Sequence, residues 1–266
     1  MKQSEKLEIM KKFIILLSCL MLVGCAVTPP EPKMEAEPYI AKFDYTPDTQ
    51  AAPNSSGVTF TVSNGSYKTN SKDMLWFTYP QFAGLENGIK SDLGDILIAK
   101  GFSVRGPFGS YDLIPYSDKK NIDMLLVPQI ELNIKIKDQK SEVENIWAAP
   151  PVDILTGNVE VSGKVTVELR EIATLVLMWA KSVPFEEFKF SYRVRNCPFY
   201  NEKHRIVFDL KPIIMTDVAK GVESQYPEIM AAIASLIDAE EMNILKKQCQ
   251  EVRKDKTSNQ GMQPAK

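Results

Sequence analysis

Val159-Glu160-Val161-Ser162-Gly163-Lys164-Val165-Thr166-Val167-Glu168-Leu169-Arg170 sets an apolar or small residue at each odd position and a polar one at each even position. A period of two is that of a strand with one face in a core and the other in water. Phe188, Phe190, Tyr192 and Val194 alternate in the same way with Lys189, Ser191, Arg193 and Arg195. So do Ile130, Leu132, Ile134 and Ile136 with Glu131, Asn133, Lys135 and Lys137. Shorter strand candidates cover residues 40–45, 58–62, 102–105 and 174–180. Clean alternation of this kind belongs to antiparallel or mixed sheets with one wet face.

Helical spacing stands out in two places. Phe82, Leu85, Ile89, Leu93, Ile96 and Leu97 make one stripe, and Gly101 follows where a left-handed residue is wanted to stop the helix. Residues 216–252 carry a second stripe of Val218, Val222, Ile229, Ile233, Leu236 and Ile237, with an interruption or kink expected near Pro227. Together these elements predict an α+β fold. It is a two-layer sandwich, a mixed or antiparallel sheet with helices packed on one face and a polar surface on the other.

The N-terminus reads as an export signal. Lys11 and Lys12 precede an apolar run over residues 13–23, and Leu22-Val23-Gly24-Cys25 has the aliphatic, small and Cys positions of a lipobox. The run is far below the ~20 residues that span a bilayer, but it fits the apolar region of a signal peptide. The polar stretch 1–9 adds nothing to export, which favours Met10 as the true start. A rival site, Leu16-Leu17-Ser18-Cys19, leaves a much shorter apolar run, so Cys25 is the expected point of lipidation. The reading divides the chain into a signal peptide (1–24), a lipidated Pro/Glu-rich tether (25–38), a single folded domain (39–253) and a disordered tail (254–266). Several acyl chains on Cys25 would hold the protein to a membrane stably. Ala26 follows the Cys, and with no Asp there the outer membrane is the expected address.

Composition narrows the partners. The leader carries four Lys and two Glu, a net +2, so the remainder stands at −4 against −2 for all 266 residues. That balance offers no basic field for nucleic acid. Cys197 and Cys249 are the thiols left after processing. In an oxidising compartment they are natural disulfide partners, the alternative being two unpaired thiols. A bridge between them would add roughly 4 kcal/mol in the chain-entropy picture. Catalytic signatures are missing. His204 is the single histidine, and neither a triad nor paired metal-ligand spacing is present, so no catalytic residue, metal or cofactor is expected. Trp147, followed by Ala148-Ala149-Pro150-Pro151, sits in an apolar loop that is either core cover or an exposed recognition element.

Several local stretches, in order, carry a resemblance. These are Lys42-Phe43-Asp44-Tyr45-Thr46-Pro47, Ala99-Lys100-Gly101-Phe102-Ser103-Val104 and Met124-Leu125-Leu126-Val127-Pro128-Gln129-Ile130-Glu131-Leu132. Val165-Thr166-Val167-Glu168-Leu169 and Phe185-Glu186-Glu187-Phe188 continue them, before a long C-terminal helix. With the lipobox they resemble the neuraminyllactose-binding hemagglutinin (HpaA-like) family of bacterial lipoproteins. The strand layout also resembles envelope lipoproteins of the CsgG and LpoB types. The first resemblance implies an outer-membrane or flagellar-sheath lipoprotein acting as an adhesin for sialylated glycans. The alternative is a non-catalytic structural lipoprotein that scaffolds the envelope or flagellar sheath through another envelope protein. The family's basic glycan motif falls here on Lys135-Ile136-Lys137-Asp138-Gln139-Lys140, which has spaced lysines and no Arg. Lys135, Lys137 and Lys140, with Trp147, are the ligand-binding residues this implies, set against the plainer reading of a solvated strand face.

Overall fold

The computed structural model describes residues 39–48, 50–69, 75–144, 152–195 and 211–260. The leader, Cys25 and the Pro/Glu-rich stretch lie outside the described residues, as do Trp147, Cys197 and His204. Within the described unit, β1 (Thr59–Val62) and β2 (Ser66–Thr69) precede helix α1 (Leu85–Ala99). Next come β3 (Ser103–Val104) and a short helix α2 (Tyr116–Asn121). Three long strands follow: β4 (Met124–Glu144), β5 (Val152–Glu171) and β6 (Leu177–Arg195). Helices α3 (Lys211–Leu236) and α4 (Ala239–Gln260) complete the order.

β4, β5 and β6 form an antiparallel meander. On the other edge of β4, β1 and then β2 pair with it in parallel, and β3 pairs in parallel with β1. The sheet is therefore mixed. Helices α1 and α3 pack on one face, and the predicted α+β two-layer sandwich is the observed fold.

The period-two runs dictate which face is inside. Val159, Val161, Val165, Val167 and Leu169 of β5 are buried, as are Ile130, Leu132 and Ile134 of β4. Against them lies the whole α1 stripe, with Leu93 and Leu97 fully enclosed. Gly101 ends this helix at φ +82°, a backbone conformation that side-chain-bearing residues rarely adopt.

Some expectations are corrected. Residues 40–45 do alternate, burying Ala41 and Phe43, but they form no strand. Their backbone bonds go elsewhere: the Ala41 N–H donates to the Gln81 carbonyl at 3.1 Å, and the Lys42 N–H to Glu223 Oε1 at 2.9 Å. The separate strands expected at 174–180 and 188–194 are one strand, β6, with a bulge at Glu186-Glu187. The extra residue resets the alternation, so Phe185 and Phe188 both face the core.

Pro227 does not break the C-terminal helix, because it lies inside α3, flanked by buried Tyr226, Ile229 and Met230. The break falls at Asp238, whose Oδ1 accepts the N–H groups of Glu240 and Glu241 at 2.9 Å each and caps α4. The outer face is not polar throughout. Ile114, Ile122, Leu125 and Ile172 form a small second core, where the connection carrying α2 covers the start of β4.

Gly163 tests the meander directly. A Cβ there would sit 2.1 Å from the Glu131 carbonyl oxygen, which is backbone on the neighbouring strand and cannot swing away. Gly163→Ala is expected to destabilise by about 3 kcal/mol, at the upper end for overpacking. Chemical denaturation measures it. A loss under about 0.5 kcal/mol would mean that β4 and β5 are not this close.

Candidate ligand-binding face

The outer surface of the meander presents its polar residues in rows that cross the three long strands. Lys135 pairs with Glu160, and Glu160 with Lys189. One row on, Lys137 pairs with Asn158 and Asn158 with Ser191. The next row joins Lys140, Thr156 and Arg193.

Strict alternation would turn Lys140 to the helix side, opposite Lys135 and Lys137. A bulge between Lys137 and Lys140 prevents this. Asp138 adopts φ +52° there, a conformation Asp tolerates better than most residues, and its Oδ2 accepts a bond from Asn158 Nδ2 at 3.2 Å. The added residue returns Lys140 to the outer face. The bulge thus gathers all the sequence-selected lysines on one surface.

Their electrostatic states differ. Glu160 accepts Lys137 at 2.5 Å and Lys189 at 3.0 Å, and Lys189 also reaches Glu187 at 3.0 Å. The bonds from Lys137 and then Lys189 hold the Glu160 carboxyl below its ordinary range, and the bond to Glu160 raises the Lys189 ammonium. Lys137 is therefore already neutralised. Lys135, Lys140 and Arg193 are exposed and make no ion pair among the described residues.

Paired residues on adjacent strands have Cβ atoms roughly 5 Å apart. Two such steps separate Lys140 from Arg193, so their long side chains can converge above the Thr156 hydroxyl. Asn158 and Ser191, bonded to each other at 2.8 Å, supply amide and hydroxyl groups beside them. Cation, hydroxyl and cation in one row suit an anionic group. Arg193 escaped the sequence reading because its neighbours in the site come from register, not from chain order. Residues 145–151, Trp147 among them, lie between β4 and β5 in the chain and outside the described residues.

Cys249 lies on the buried side of α4, and burial first, then the Glu171 carboxylate, push its thiol up to about 11. A free thiol there is protonated at neutral pH and a poor nucleophile, and the Cys197 half of the expected Cys197–Cys249 bridge lies outside the described residues. Among the described residues no group of three or more His, Cys, Asp or Glu is placed to hold a metal ion, and no helix is long and apolar enough to cross a membrane.

No family model matches the chain, and no curated protein matches it. Among solved structures it is similar to a neuraminyllactose-binding hemagglutinin homolog from Helicobacter pylori, at 16% identity and a TM-score of 0.52. That likeness covers 77% of this chain and 98% of the other. It is a likeness of fold. Lipoprotein GNA1162 from Neisseria meningitidis gives 10% identity and a TM-score of 0.22, covering 63% and 99% of the two chains. A minor lipoprotein from Acinetobacter baumannii gives 13% and 0.19, covering 65% and 91%. The last two are too distant to carry an argument.

Proposed function

We propose that the chain is a non-catalytic, lipid-anchored lipoprotein of the outer membrane, whose outer sheet face binds sialylated glycans. The observation that carries this reading is the row Lys140–Thr156–Arg193, brought to one face by the Asp138 bulge. It offers a carboxylate a hydroxyl and two cations that have no ion pair among the described residues. The lipobox at Cys25 and the hemagglutinin-like fold point the same way.

Each charge-assisted bond is worth ~1.5–3 kcal/mol, and one exposed site would bind at about millimolar strength. Many anchored copies acting together would supply useful adhesion. The test is a sialylated-glycan array with the full chain displayed multivalently. Binding is expected, with a loss of about tenfold or more in the Lys140→Ala/Arg193→Ala double variant. A blank array, or a double variant that binds as the wild type does, rules the site out.

A second reading, a structural lipoprotein of the envelope or flagellar sheath, draws on the β5–β6 turn. Leu175, Val176 and Leu177 are exposed there, and Leu175 is held at φ +59°. An apolar, strained tip of this kind is suited to a protein partner. Crosslinking from the tip to another envelope protein, with no glycan binding, would select it.

A further inference from the structure

A crevice of about 390 Å³ opens outside the carboxyl ends of the parallel strands β1 and β3, where Val62 and Val104 end their strands and α1 runs alongside. Crevices at this place in open sheets are where ligands bind, and the volume falls within the ~300–1,000 Å³ of small-molecule sites. This is the opposite edge of the sheet from β6, so nothing here depends on the glycan reading.

The lining is unusual in charge. It contains Lys90 and Arg105 and no acidic residue. Lys90 Nζ donates to Asn64 Oδ1 at 2.8 Å and to the Phe108 carbonyl at 2.7 Å. Both acceptors are neutral, so among the described residues the ammonium is fixed in place with no counter-charge and one N–H to spare. The backbone of Arg105 is held by its N–H to the Phe60 carbonyl at 2.8 Å, and its guanidinium has no partner among the described residues. Ser91 adds a hydroxyl, and Val62 and Val104 add an apolar wall.

Gly94 lies in the same lining. Glycine weakens a helix interior, and it is usually retained where a neighbour presses on it. A Cβ on Gly94 would meet nothing within 4 Å. Open space in the crevice is what this glycine faces.

We propose that the crevice binds a phosphate monoester. The phosphate sits between Lys90 and Arg105 with the Ser91 hydroxyl, and the organic part lies against Val62 and Val104. Two uncompensated cations match a dianion, whereas a carboxylate would neutralise one of them. The Arg fork grips phosphate through paired bonds, and the ammonium completes the charge. A soluble phosphorylated metabolite and a phosphatidic acid headgroup share this chemistry.

Isothermal titration of the full chain in detergent, with glycerol 3-phosphate, inorganic phosphate and dioctanoyl phosphatidic acid as probes, decides the matter. One-to-one binding of glycerol 3-phosphate, competed by inorganic phosphate, is expected. Arg105→Glu and the crevice-filling Gly94→Phe should each weaken it by about tenfold or more, with no fall in melting temperature. Gly94→Ala should bind as the wild type does. Lys90 is left in place, since it also holds Asn64 and Phe108. Tighter binding of the acylated probe would assign the headgroup source, and equal binding the soluble one. Silence from all probes, or full binding by both Arg105→Glu and Gly94→Phe, overturns the proposal.

Discussion

Arg253→Ala is expected to cost about 3–5 kcal/mol, the penalty for leaving one partner of a buried ion pair alone. Glu171 is 0% exposed at the end of β5 and accepts the Ala173 and Thr174 N–H groups at 2.9 and 2.6 Å. Arg253, reaching down from α4, donates to the same carboxylate and to the Ile122 and Asp123 carbonyls at 2.7 and 3.1 Å. One side chain therefore ties the last helix to the ends of two strands. Truncating it strands a charge in the interior and two carbonyls beside it.

The pH dependence has a definite sign. Burial pushes the Glu171 carboxyl up, but the bonds from Ala173, Thr174 and Arg253 outweigh it and hold the carboxyl below its ordinary value. A depressed carboxylate contributes stability at neutral pH that is lost as pH falls through its folded value. The difference between wild type and Arg253→Ala in urea denaturation should be largest at pH 7 and shrink toward pH 3. A loss under about 1 kcal/mol at pH 7 would mean that the pair is not closed in solution.

Asp92→Asn should do the opposite of most buried substitutions and stabilise the fold above pH 6. Asp92 lies on the core side of α1, only 3% exposed. Tyr226 OH donates to its Oδ2 at 2.5 Å and Tyr45 adds a backbone bond. Burial is the largest influence and raises the carboxyl from 3.8 to about 6, against those bonds. Here the folded chain keeps a proton that the unfolded chain has released. Stability tied to this group is highest below pH 4, falls as pH rises to about 6, and is constant above.

At 1.36 kcal/mol per unit, the ionised form costs about 3 kcal/mol at pH 7.5. Asparagine removes that cost but has one acceptor oxygen where the carboxylate has two, which returns about 1 kcal/mol. The expected net gain is about 2 kcal/mol at pH 7.5, vanishing or reversing by pH 4. Thermal or urea unfolding across this range measures it, and a variant uniformly less stable than wild type at every pH would show that Asp92 is comfortable as an anion.

Both positions left traces in the sequence that patterning alone could not decode. Asp92 falls three residues after Ile89 and one before Leu93, inside an apolar stripe where a carboxylate is out of place. Its partner Tyr226 is more than a hundred residues away, so the oddity had no local explanation. Arg253 and Glu171 read as ordinary surface charges. Only the docking of α4 against the strand ends makes them a buried pair.

The local patterns themselves fixed the fold class. Alternation in β5 and the stripe in α1 each reflect an environment that repeats with the backbone's own period, so neighbouring residues suffice to read them. What they could not carry is phase across an irregularity. The bulge at Asp138 and the one at Glu186-Glu187 each reset which residues face inward, and an extra residue announces itself only against a partner strand. Pro227 made the same point in the helices: buried contacts on both sides outweighed a local breaker, and the break moved to Asp238. The candidate site follows from this. Lys135, Lys137 and Lys140 were visible as residues, but the sharing of one face, the neutralisation of Lys137 by Glu160 and the arrival of Arg193 opposite Lys140 were decided by register. Register belongs to the sheet, because it is set by pairing between segments that the chain itself keeps apart.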